Sequence, residues 1–372
     1  MNSFFTPEPE QPPRTRCGYP PNEVIASLEK VLPQTGAHST GRALHFTADL
    51  VCSGGLYNLF RILWEYALIH IGLSSPRVFV YLKQRIHDID SIMKTLPDET
   101  AYTSENFQVR VGELIIVLRD APTRSAPPWP KVGIETHDEG WIRGAVTDPI
   151  TESAALRRTW KPEGDFSILR TAGGQLSKAI GDGSTERALF WVKWLLEEDA
   201  IIRKRQKGGA LTTIERGPAT LSSRQRTEVS YFILSLYSEI YKELAAKGLV
   251  RMNEEYQSLI DLWSNPPKGL GGGARKHILM ILTQILTEVP RWKVPAAPSL
   301  IKDPVYLSNA VKQVPKFFSE VLAYEAPKRS TDLAKAFKSR SAAPVKPKVK
   351  KGESNMSQME AYDKAMNAYL GK

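Results

Sequence analysis

The stretch Arg187–Gly209, RALFWVKWLLEEDAIIRKRQKGG, decides how this chain folds. Ala188, Leu189, Phe190, Trp191, Val192, Trp194, Leu195 and Leu196 cover nearly the whole circumference of a helix, and a helix that is apolar all round is a buried one. The aromatic residues also raise the question of base stacking, but a stacking platform has to be exposed. The reading is therefore a core helix that turns charged at its end. Glu197, Glu198 and Asp199 precede Arg203, Lys204, Arg205 and Lys207, and Gly208-Gly209 breaks the run. Those basic residues either cap the helix terminus or contact an acidic partner.

Working outward, helical periodicity recurs on both sides. Downstream, SRQRTEVSYFILSLYSEIYKELAAKG carries Val229, Phe232, Ile233, Leu236, Ile240 and Leu244 on one stripe and stops at Gly248. EEYQSLIDLWSNPP predicts a short helix ended by prolines. ARKHILMILTQILTEVP is the most apolar and is expected at the centre, and Pro315 should kink or split the helix of 303–327. Upstream, FSILRTAGGQLSKAI predicts a further helix, and Ser184 or Thr185 can cap the quoted one. Before residue 122 the pattern resumes in four or five helices, the first capped by Asn22 after two prolines and the LYNLFRILWEYALIHIG helix stopping at Gly72.

Between these stretches, residues 122–164 are rich in proline and glycine, with short strands expected around Lys131–Ile134 and Trp141–Val146. The expected fold is mainly α: two helical modules, 22–121 and 165–326, joined by that connection. An extended arm (1–21) precedes them. A basic tether with a short amphipathic helix (327–372) follows, in which Met359, Tyr362, Ala365, Met366 and Tyr369 share a face.

The net charge of +10 is concentrated in that tether. Lys328, Arg329, Lys335, Lys338, Arg340, Lys346, Lys348, Lys350 and Lys351 face only Asp332, a net +8 that leaves +2 for the rest of the chain. Such a segment binds polyanions or acidic protein faces by salt-sensitive attraction; a solubilising linker is the alternative. Cys17 and Cys52 are too few for a disulfide framework, no apolar run reaches the roughly 18–20 residues of a membrane span, and the N-terminus lacks a secretory pattern.

Catalytic patterns are scarce. The six histidines form neither HExxH nor a Cys/His zinc spacing; in THDEG at 136–140, His137 with Asp138 and Glu139 could in principle ligate a metal, but a solvated loop is the favoured reading. Cys52-Ser53-Gly54-Gly55 superficially resembles a nucleophile turn, but without strand–turn–helix context it reads as a tight helix junction. GLGGGARKH leads into a helix with Arg275 and Lys276 in its first turn. It offers an anion site on backbone N–H groups, with a flexible interhelical turn as the alternative. Neither catalysis nor a cofactor is expected.

Several stretches together resemble, in the same order, a protein family of the nucleo-cytoplasmic large DNA viruses. They are ADLVCSGGLYNLFRILWEYALIHIGLSSPRVFVYLKQRIHDI, VRVGELIIVLRDAP, ERALFWVKWLLEED and ARKHILMILTQILTEVPRW, within about residues 44 to 322. The lysine run that follows the tryptophan helix in that family is shortened here to Arg203–Lys207. The resemblance implies a minor capsid protein beneath the major capsid lattice, located in the virion and, during assembly, in the host cytoplasm. Its expected partners are other capsid proteins, the major capsid protein among them, bridged through its arms. The alternative is a nucleic-acid-binding accessory factor of viral replication or packaging that uses the basic tail.

Overall fold

The computed structural model describes residues 14–138, 140–142, 153–205, 209–251, 253–288 and 300–324. Helix α1 (Pro21–Val31) begins on proline itself: Pro20 is the cap and Pro21 the first helical residue, not Asn22 as expected. Proline's fixed φ suits the first turn, where its missing N–H costs no helical bond. Five more helices follow: α2 (Ala37–Cys52), α3 (Leu56–Tyr66), α4 (Arg77–Thr95), α5 (Asp98–Thr103) and α6 (Glu105–Asp120). Helix α3 widens into a π turn at Ala67–Ile71, and the chain reverses at Gly72 with φ +50°, the stop the sequence predicts. Arg119 fastens the end of α1 to the start of α2, donating to the carbonyls of Leu32 (3.1 Å) and Gln34 (2.6 Å) and to Ser39 Oγ (2.7 Å).

The second stretch opens with a helix inside the expected connection, α7 (Ala154–Thr159), capped by Ser153, whose Oγ accepts the Leu156 N–H at 3.1 Å. Then come α8 (Ser167–Gly181) and α9 (Thr185–Arg205). The segment read as one long helix from Ser223 is two. A capping box between Ser222 and Gln225 starts α10 (Ser223–Arg226), and extended backbone at Glu228 separates it from α11 (Val229–Ala246). The last helices are α12 (Asn253–Ser264), α13 (Gly272–Thr287), α14 (Pro304–Val311) and α15 (Val314–Leu322), the last two divided just before Pro315.

Helix α13 is central: Ile278–Thr287 is wholly buried, and α13 packs on α8, α9, α11 and α12 as well as on the π turn. Residues 300–324 follow the second stretch in sequence but pack on the first, α14 on α6 and α15 on both α2 and α6. Asp120 accepts the N–H groups of Lys302 (2.7 Å) and Asp303 (3.0 Å), Phe318 meets Phe107 edge-on, and Val314 sits against Gly112, where a side chain would not fit. Helices from both stretches thus share one apolar core. Burying a Phe or Leu there stabilises by roughly 1.5–3 kcal/mol. Among the described residues no helix is long and apolar enough to cross a membrane.

Two expectations are corrected. No strand forms at 131–134 or 141–142: Ile134–His137 is a 3-10 turn and 140–142 is helical. The carbonyls of Pro130 and Thr136 are taken up by α9 side chains rather than by a partner strand. The arm is also shorter than 1–21, because residues 14–20 are tied to the body through the buried Arg16. Residues 1–13, and the tail from 325 on with its predicted helix, lie outside the described residues.

Candidate functional site

Helix α9 is mostly buried, with Glu186, Arg187, Ala200, Lys204 and Arg205 exposed, and one of its buried sides meets the proline-rich connection rather than another helix. Trp194 Nε1 donates to the Thr136 carbonyl at 3.0 Å, and Lys193 Nζ donates to the Pro130 carbonyl at 2.7 Å. Trp141 lies against Phe190 and Trp191, and Trp191 meets Trp194 edge-on at 5.8 Å. Earlier in the connection, the N–H groups of Arg124 and Ala126 reach the carbonyls of His70 (2.8 Å) and Ile69 (3.3 Å) in the π turn. Those carbonyls sit where the helix pattern widens and ends, so they need donors from outside it. The connection is a strap running from the π turn to α9.

Where the strap ends, a groove of about 1230 Å³ opens along the last turns of α9. Its strap side presents Ile134, Ile142 and His137, and the entry to α8 presents Phe166. Along α9 lie Trp194, Glu198, Ile201 and Ile202, with Lys204 and Arg205 at its end. Ile134 is 87% exposed and Phe166 47%, unusual for large apolar side chains on a body with a complete core. His137 stacks on Trp194 (5.3 Å between centroids, 13° between planes), and its Nδ1 lies 2.7 Å from the buried Glu198 carboxylate. Its Nε2 faces Glu197 at 3.7 Å. The imidazole of THDEG therefore belongs to a floor pair beneath the groove rather than to open loop. Among the described residues no group of three or more His, Cys, Asp or Glu is arranged to hold a metal ion.

The structure separates the basic residues of the α9 end. Arg203 turns inward: Nε donates to Asp199 at 2.7 Å and Nη2 to the Thr227 carbonyl at 2.6 Å, while Asp199 also accepts the Leu211 N–H. It braces α9 against the 211–227 segment, so its guanidinium is held within the molecule rather than capping the end of its own helix. Lys204 and Arg205 are exposed at the groove mouth. Lys207 and the nine tail residues, Lys328 to Lys351, lie outside the described residues.

Arg275 and Lys276 are not brought together. The Arg275 guanidinium stacks 4.5 Å over Trp263 and donates to its carbonyl at 3.2 Å, whereas Lys276 is exposed. Arg275 and Arg203 also stand near the half-buried Glu228, where burial pushes the carboxyl above its usual value and the two arginines pull it back. The Cys52–Gly55 turn is a tight junction: Gly54 has φ +85° and Gly55 packs on Leu50 too closely for a side chain. Burial pushes the Cys52 thiol up to about 12, and that of Cys17 rises as well, so both stay protonated and unreactive at neutral pH.

Sequence reasoning missed Arg16 and Phe166, and set His137 aside as part of a solvated loop. Only the exposed apolar Phe166 just before a helix carried any local signal. No protein-family model matches the chain, and neither a curated protein nor a solved structure does.

Proposed function

We propose that this chain is a non-enzymatic structural protein of a large DNA virus particle, a minor capsid component that bridges its neighbours, the major capsid protein among them. The family resemblance of its helix-level motifs supports that reading. The observation that carries it is the α9 groove, where exposed Ile134 and Phe166 sit beside Lys204 and Arg205. Apolar anchors with a charged rim are the makeup of a protein-docking surface, and this one fits an acidic segment of a neighbour. The basic tail adds an attachment whose weak contacts sum with those of the groove through effective concentration.

The test is capture of the full chain by the major capsid protein. Lys204→Glu/Arg205→Glu is expected to weaken capture about fivefold, from two exposed charge contacts, and to leave stability unchanged. The chain is also expected in stoichiometric amounts in genome-free capsid shells. The nucleic-acid reading rests on the nine basic tail residues against Asp332. Absence from such shells, together with duplex-DNA binding at physiological salt that tail removal abolishes, would establish it instead.

A further inference from the structure

A second concavity, of about 1010 Å³, shares no residue with the α9 groove and lies between α3, α4, α12 and the turn 265–268. Tyr57, Phe60 and Trp64 line it along α3, and Pro266-Pro267 adds to its wall. Tyr57 is 55% exposed, with Lys268 Nζ 5.9 Å over its ring. Lys94 pairs with Asp90 at 2.6 Å, and Lys83 reaches from α4 to Asp261 on α12. With Lys268, three lysines face two aspartates, so the lining carries a positive excess.

The chain enters the described structure at the α2–α3 junction, just before the α3 side of this groove. The Arg16 backbone N–H donates to Ser53 Oγ (3.0 Å), and its buried guanidinium donates to the Cys52 carbonyl (2.9 Å) and to Glu99 (2.6 Å). Ser53 lies four residues before Tyr57, at the end of α3 where Tyr57 OH meets Asp90. Immediately upstream is Pro7–Pro13, PEPEQPP, which holds Glu8 and Glu10 and no basic residue. Proline at this density favours polyproline II, in which seven residues span about 22 Å. The α3 stripe from Tyr57 to Trp64 rises only about 10 Å. Proline-rich segments dock on aromatic-lined grooves because they are already extended and lose little entropy.

We propose that the groove between α3, α4 and α12 seats the Pro7–Pro13 segment of the same molecule. Its prolines lie on Tyr57, Phe60 and Trp64, and Glu8 and Glu10 face Lys94, Lys268 and Lys83. The point of entry at Ser53 argues for the chain's own segment, and the two glutamates match the sign of the lining. The proposal does not rest on the capsid reading.

A photoreactive phenylalanine analogue at Tyr57 of the full chain tests it, in an equal mixture of light and isotopically heavy protein. The expected crosslinks join position 57 to residues 7–13 within light or within heavy copies, without mixed products. Glu8→Lys/Glu10→Lys is expected to lower their yield about fivefold, and a photoreactive group at Lys268 is expected to capture the same segment. Mixed light–heavy crosslinks, capture of residues 357–370, or no capture of 7–13 from either position would overturn the proposal.

Discussion

The Asp165–Arg216 pair sets the geometry behind Phe166 and gives the sharpest test of the packing. Asp165 is fully buried, and the Arg216 side chain is 9% exposed. The carboxylate accepts from the Arg216 guanidinium, from the Lys161 N–H at 2.8 Å and from the Thr212 hydroxyl at 2.5 Å. Arg216 also donates to the Thr159 carbonyl (3.1 Å) and lies over the Phe232 ring. Asp165→Ala leaves a buried guanidinium without its counter-charge, a loss of about 3–5 kcal/mol. Two stranded donors, Lys161 N–H and Thr212 O–H, place the value toward the upper end. That is a large part of the 5–15 kcal/mol or so that holds a typical domain together. Asp165→Asn/Arg216→Met removes both charges; the amide oxygen can take the Lys161 N–H, and the Thr212 hydroxyl, which donates to the other oxygen in the wild type, can turn to accept from the amide nitrogen. It should lie within about 1–2 kcal/mol of the wild type. Urea unfolding, followed by tryptophan fluorescence and far-UV circular dichroism, reads both values at constant m. A cost below about 1 kcal/mol for Asp165→Ala, or a double variant no more stable than Asp165→Ala, would refute this account of the pair.

Three further outcomes follow from the same structure. Gly112→Ala puts a methyl group 2.3 Å from a Val314 methyl. The overpacking outweighs the gain in helix propensity, for a net loss of about 1–2 kcal/mol that Val314→Ala should relieve; a stabilised Gly112→Ala would mean that α15 does not dock there. Burial holds the His45 imidazole at about 4 instead of 6.5, so the unfolded chain takes up the proton first as pH falls. That contribution to stability is fully present above pH 6.5 and lost toward pH 4, a drop of about 3 kcal/mol. Comparing urea midpoints of wild type and His45→Gln across that window should show a shallower slope in the variant, and equal slopes would contradict the burial. Finally, iodoacetamide at pH 8 should label Cys52 in the folded protein far more slowly than in 8 M urea, read by mass spectrometry of the peptide; equal rates would contradict a buried thiol with a pKa near 12.

Much of the fold was legible wherever burial writes a period into the chain. Helices α9 and α13, the stop at Gly72 and the break before Pro315 follow from apolar spacing and from the backbone limits of glycine and proline. The break between α10 and α11 escaped because the four residues of α10, SRQR, carry no apolar period, and the extended backbone at Glu228 that parts the two helices is marked by neither proline nor glycine. The candidate site was much less legible. Arg203 and Lys204 are neighbours in one basic run, yet Arg203 falls four residues after Asp199 and turns inward, while Lys204, about 100° further round, stays exposed. His137 and Glu198 are 61 positions apart, and no periodicity announces a polar pair at that distance.

The all-round apolar helix shows where such reading stops. Of the eight apolar residues around α9, six are buried and Phe190 and Leu196 partly so, but the pattern does not say what does the burying. A proline-rich strap makes no backbone ladder of its own, so its carbonyls need donors from whatever it crosses. Helix α9 meets that need with Trp194 and Lys193, whose side-chain N–H groups take the Thr136 and Pro130 carbonyls. The aromatic surface therefore serves as the bed for a non-helical segment, which explains why it is tryptophan-rich rather than leucine-rich: indole buries a large area and still donates a hydrogen bond. At the end of the described strap, Ile134, Phe166, Lys204 and Arg205 surround the opening along α9. Among the described residues the strap covers α9 only in part, and shortening or loosening it would reshape the groove without touching any residue of α9.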